Sequence, residues 1–328
     1  AVDVLENAVA IDPLSVNVLF GLGKSHLHAG RPERTLQISE RIHELDPAAV
    51  RSLTLRLQSH VWRGEFDLAF PAITDLMDVD PDDHELWGHF AQQMDQLGLP
   101  DVADRYLARA EELDPEGSGV LMNKVLILHG RSQYDAAYAV AKEAVEKNTD
   151  PRWGSDRVFL RMLRMKAQQT GDYDEALRRY QDWYSELFEE PPLVDNGNVN
   201  IAGDVGSLLR IIGQQEKGDN LIQQALAWQQ ANHPAGSYGY YYGVLGAELL
   251  ALDGQDDEAL AELQRAVDSG WSFQWRFVLS GESFDSIRDR PEFQEIVAYL
   301  DAEMDVQRER ILALPDQGEY DLRDKEPL

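Results

Sequence analysis

Ile11-Asp12-Pro13, Leu45-Asp46-Pro47, Val79-Asp80-Pro81 and Leu113-Asp114-Pro115 are four copies of an aliphatic-Asp-Pro triplet set 34 residues apart. A constant interval of that length marks an internal repeat, and a supersecondary unit copied at fixed period builds a stacked solenoid. With each proline counted as position 32, Leu19, Leu53, Trp87 and Leu121 fall at position 4, and Gly30, Gly64 and Gly98 at position 15. Thr35, Ala69, Ala103 and Ala137 take position 20. Glycine at 15 permits a tight turn between two helices, and a small residue at 20 lets those helices approach. Each unit therefore reads as an αα-hairpin whose second helix is stopped by the proline.

This register resembles the tetratricopeptide repeat family. Leu22-Gly23, Trp87, Ala103, Ala110 and Pro115 match its pattern, whereas His26 and His60 replace the aromatic residue at position 11 and Arg56 stands at the leucine position 7. The resemblance implies an all-α, right-handed superhelical solenoid of stacked αα-hairpins. Four regular units are expected over residues 16–151, after a half repeat over 1–15 that holds only a second helix (Leu5, Ala8). That half unit points to an excised piece of a longer protein. Asp150-Pro151 follows after 36 residues, and Gly171, Gly213 and Gly254 mark the turns of three more divergent units over 152–271. After Trp271, a cap over 272–314 uses Phe273, Trp275 and Phe277, then an amphipathic helix carrying Phe293, Ile296, Val297, Leu300 and Met304. A charged tail closes the chain over 315–328.

The block from Gly270-Trp271 to Phe293 also resembles the C-terminal tail of tetratricopeptide regions in bacterial signalling proteins, where the array follows a cyclase-like or winged-helix domain. That implies a soluble bacterial region, cytoplasmic or periplasmic, within a larger regulator.

With 59 acidic and 30 basic residues the net charge is −29, which opposes nucleic acid and anionic membrane surfaces as partners. The chain has no cysteine, so disulfides and thiolate chemistry are excluded. Gly21-Leu22-Gly23-Lys24-Ser25 lacks the earlier glycine of a phosphate loop, because position 18 is valine. The histidines lack ligand spacing, and no nucleophile elbow occurs. We expect no enzyme, cofactor or metal.

In the family, helix A positions 2, 5, 6 and 9 line a concave groove. The resemblance thus places Asn17, Lys24, Arg51, Gln58, His89, Gln92, Asn123, Arg161, Met165 and Asn200 in the groove, with His28 and Trp62 near its rim. The inward charges, Lys24, Arg51 and Arg161 against Glu85, Asp204 and Glu248, cancel. Amides, cations and soft apolar groups suit a protein or peptide segment. The alternatives are a small-molecule or short-peptide sensor near His89, Asn123 and Arg161, and self-association into a homo-oligomer. Tyr238, Tyr240, Tyr241 and Tyr242 form a second candidate patch.

Overall fold

The computed structural model describes residues 2–147, 155–233 and 242–314, excluding the side chains of 242 and 243. Asp150-Pro151, Tyr238, Tyr240, Tyr241, the side chain of Tyr242 and the charged tail lie outside them.

A lone helix α1 (Val2–Ile11) precedes seven helical hairpins. These are α2 (Val16–His28) with α3 (Pro32–Leu45), α4 (Val50–Trp62) with α5 (Phe66–Val79), α6 (His84–Gln96) with α7 (Pro100–Leu113), and α8 (Ser118–Gly130) with α9 (Tyr134–Lys147). Next come α10 (Asp156–Thr170) with α11 (Asp174–Trp183), α12 (Val199–Ile211) with α13 (Gln215–Asn232), and α14 (Tyr242–Leu252) with α15 (Asp256–Asp268). A short α16 (Trp275–Leu279) and a long α17 (Pro291–Leu312) follow. No strand occurs among the described residues, and none of their helices is long and apolar enough to cross a membrane. The first helices stack on one another, α2 on α4, α6 on α8, α8 on α10, and so on to α14.

Local chemistry accounts for the hairpins. The backbone is left-handed at Gly30, Gly64, Gly98, Gly171, Gly213 and Gly254, with φ between 69° and 85°, so every turn read as a glycine corner is one. The fourth unit has no glycine at position 15, and Ser132 adopts φ 60° there instead. The Asp-Pro pairs are loop locks: Asp46 Oδ1 accepts from Ala48 N at 3.1 Å, and Asp80 and Asp114 accept from Asp82 N and Glu116 N at 3.3 Å. Each bond folds an Asx turn just where proline has removed the donor that would extend the helix. At position 20, Ala69, Ala103 and Ala137 are fully buried, and Thr35 Oγ1 donates to Gly23 O at 2.9 Å. A Cβ on Gly23 would lie 2.6 Å from Leu55 Cδ1, so this glycine lets the next unit close in. Gly21 to Ser25 are helical, within α2.

The C-terminal region does more than cover the last unit. Helix α17 packs against α15 and also reaches α5. Its buried Gln307 accepts from Phe66 N and donates to Gly64 O, both at 2.7 Å, clamping the turn of the second hairpin. Arg308 Nη1 donates to Leu97 O at 3.2 Å, and Arg310 pairs with Asp67 at 3.3 Å. The segment before it makes the same return: Gln96 Nε2 donates to Ser272 O at 2.9 Å, and Arg276 Nη1 to Gln96 O at 2.8 Å. The approach is backbone to backbone, since a Cβ on Gly270 would stand 2.2 Å from Arg63 O. Residues 270–312 thus form a strap from the seventh hairpin back to the second and third.

Candidate binding face of the first helices

The strap divides the row of first helices into a filled part and an open part. In the filled part Arg157, Arg161 and Arg164 share one face of α10, since intervals of four and three residues return to the same side. Arg161 Nη2 reaches Asp204 Oδ1 of α12 at 3.1 Å and Glu248 Oε1 of α14 at 2.9 Å. Arg157 pairs with Glu248 at 2.7 Å, while Arg164 pairs with Asp204 at 3.1 Å and with Glu282 of the strap. Burial alone would raise the Asp204 carboxyl, but the guanidiniums of Arg161, Arg164 and Arg157 overcome it and hold the group well below the usual carboxylate range. Phe277 lies over the Arg161 guanidinium at 5.8 Å and edge-on to His129 at 4.9 Å. Burial, then the Arg161 charge, pushes His129 down to about 4.

Several residues assigned to the groove are therefore enclosed. Arg161 is wholly buried in the ion-pair cluster. Asn123 is buried and donates to Gly119 O at 2.8 Å, and the buried Gln92 donates to Gln96 Oε1 at 3.2 Å. Met165 and Asn200 are half-buried, Met165 against the main core.

The open part belongs to α2, α4 and α6. Asn17, Lys24, His28 and Arg51 are exposed there. Lys24 Nζ and Arg51 Cζ stand 5.8 and 5.7 Å from the Phe20 ring. Neither makes an ion pair among the described residues. His28 meets Trp62 edge-on at 5.4 Å, and burial followed by the Lys24 charge lowers its pKa. Half-buried Gln58, Trp62 and His89 line a cavity of about 290 Å³ that Gln93 and Phe273 complete. The structure thus brings Gln58, Trp62 and His89 together on one cavity, which Asn123 and Arg161 do not line. Phe273 and Gln93 are absent from the sequence assignment: Phe273 shows there only as part of the cap's aromatic run, and Gln93 falls at position 10, outside the inward set. No cluster of His, Cys, Asp or Glu among the described residues is placed to hold a metal.

A left-handed residue between the two helices of each of the seven hairpins, a small or short residue at position 20, and an Asp-Pro lock after each of the first three are now all in place. The fold is that of a tetratricopeptide-like repeat array. No protein-family model matches this array, and no curated protein matches it. Solved structures that resemble it include PilW, a widely conserved type IV pilus biogenesis factor (15% identity, 67% of this chain and 94% of that one, TM-score 0.44). Yeast Tom70 is similar at 16% identity over 90% of this chain and 61% of its own, with a TM-score of 0.47. The TPR domain of P58(IPK) is similar at 15% identity over 94% and 95% of the two chains, with a TM-score of 0.30. The array spans less than two thirds of the length of Tom70.

Proposed function

We propose that the array is a non-catalytic scaffold that holds a protein segment against α2, α4 and α6, as the protein-binding region of a larger bacterial regulator. One observation carries this reading: the inward charges are unevenly spent. Arg161 pairs with Asp204 and Glu248 under the strap, where Arg157 and Arg164 complete the neutralisation, whereas Lys24 and Arg51 remain exposed beside Phe20 and outnumber Glu85, the exposed acid of the inward set, in an otherwise acidic chain. The open face therefore offers a local cationic edge next to a half-buried indole, a combination suited to a segment with a carboxylate beside an apolar side chain. The rest of the row is closed to a partner by residues 270–312.

The test is partner capture with paired variants. Arg51→Glu and Trp62→Ala should each weaken a captured partner by tenfold or more. Leu193→Ala, at an exposed residue away from these helices, should leave it unchanged. Capture indifferent to both Arg51→Glu and Trp62→Ala removes this face from consideration.

A further inference from the structure

The open face carries unspent positive charge, and the chain holds a segment of matching chemistry close to it. Phe20, Lys24 and His28 recur at intervals of four residues, and Arg51, Gln58 and Trp62 at seven and four, so each set keeps to one side of its helix. Because α2 stacks on α4, the two sets lie side by side. Lys24 and Arg51 are exposed and make no ion pair among the described residues. At the C-terminal end of α4, Trp62 borders the cavity that Leu57, Leu86, Phe90 and Phe273 make apolar. The last described residues lie beside the same hairpin. Arg310 pairs with Asp67 at the start of α5 at 3.3 Å, and Leu314 packs on the core cluster that contains Val61 and Phe273, two walls of that cavity. Residues 315–328 continue from that point with five acidic residues and two basic ones, and within them Glu319-Tyr320-Asp321 sets an aromatic ring between two carboxylates.

We propose that residues 315–328 fold back onto the open face as its internal occupant, with Tyr320 in the cavity beside Trp62 and with Glu319 and Asp321 against Lys24 and Arg51. The inference rests on the scaffold reading, because it supplies the regulation of that same face. Length permits it. Tyr320 stands six residues beyond Leu314, a span of up to about 20 Å, and the whole segment of 14 residues can cover about 46–50 Å. The face to be covered is shorter, since the 11 residues from Arg51 to Trp62 rise by about 16 Å. Charge selects the occupant: with a net charge of −29 most of the surface repels an acidic segment, and the Lys24 and Arg51 edge attracts it. Tyrosine suits a half-open aromatic site, because its ring is apolar and its tip is polar. A tethered segment acts at an effective concentration of about 1 mM, so modest affinity keeps the face covered and an outside segment binds only by displacing the tail.

The experiment is calorimetric titration of a blocked peptide of residues 315–328 into two whole chains, the wild type and a variant carrying Tyr320→Ala with Asp321→Lys. The variant should bind the peptide, and the wild type should bind it roughly tenfold or more weakly, because its own tail holds the face. Arg51→Glu added to the variant, or Tyr320→Ala in the peptide, should each weaken that binding by roughly tenfold. Equal affinity for the two chains, or no binding to the variant, overturns the proposal. A mass by light scattering that doubles with concentration in the wild type and not in the variant places the tail on a second copy and overturns the internal assignment. If the peptide does not bind while Arg51→Glu and Trp62→Ala still weaken partner capture, the scaffold reading survives and the tail is not the occupant. If the peptide behaves as expected while capture ignores both substitutions, the occupancy stands and the scaffold reading falls.

Discussion

Gln307→Ala removes the clamp between α17 and the second hairpin, and its cost follows from what is left behind. Gln307 is 2% exposed, and its amide satisfies Gly64 O and the Phe66 N–H, each at 2.7 Å. Phe66 is 1% exposed, so water cannot readily replace the lost acceptor. Each orphaned backbone group costs about 1–3 kcal/mol, giving about 2–6 kcal/mol for the pair before lost packing is added. A domain's whole stability is only about 5–15 kcal/mol, so the change should be plain in a urea denaturation curve. Native-state hydrogen exchange locates it: the Phe66 amide should lose protection more than amides in the hairpin α14–α15. Gln307→Glu separates the two bonds. Its carboxylate can still accept from Phe66 N–H but faces Gly64 O and Glu303 without a donor. Acidification, which supplies an O–H, should therefore restore part of the loss. Destabilisation below about 1 kcal/mol with unchanged Phe66 exchange would refute the clamp.

Two buried groups give opposing pH dependence. His129 falls to about 4 in the fold, chiefly through burial, so its stabilising contribution is complete above pH 6.5 and is lost as pH falls toward 4. Burial pushes the Asp156 carboxyl up to about 6, so its contribution is complete below pH 3.8 and is lost as pH rises through 6. Each difference corresponds to about 3 kcal/mol. Between pH 6.5 and 4, His129→Gln should therefore gain stability on acidification relative to wild type, and Asp156→Asn should lose it. The lowered His26, His28 and His233 are common to all three proteins and cancel in the comparison. Identical pH profiles for the two variants in urea denaturation would contradict this. Ser132→Gly should stabilise the array by about 0.5–1 kcal/mol, because it relieves a left-handed serine at φ 60° against a modest gain in unfolded-state freedom. A lower thermal midpoint for this variant would show that Ser132 is held for another reason.

The repeats were legible because their determinants are local. A glycine corner, a small residue five positions later and an Asp-Pro lock each act within one unit, so the period alone places the helices of the first four hairpins. Ser132 shows the strength of that register: the backbone takes the left-handed turn where the count demands it, without the residue that makes it easy. The strap was illegible for the opposite reason. The amphipathic pattern of α17 shows that one face is buried, but it does not show why that stripe carries a polar Gln307 between Met304 and Ile311, and Arg308 and Arg310 look like solvated surface until the partners at Gly64, Leu97 and Asp67 are known. Arg161, Asp204 and Glu248 were visible as three of the six inward charges that together sum to zero. That they meet and neutralise one another depends on the packing of α10, α12 and α14, which no periodicity encodes.

The strap also orders events during synthesis. Hairpins close through near neighbours in the chain, whereas Gln307 must find Gly64 across 243 residues, a contact whose loop-closure entropy is met only once the intervening units have condensed. Translation runs at about 5–20 residues per second, so the first hairpins can fold several seconds before α17 leaves the ribosome. During that interval Arg157, Arg161 and Arg164 lack both Glu248 and Glu282, and the row of first helices stands uncovered. A nascent chain therefore presents a longer and more cationic face than the finished protein does.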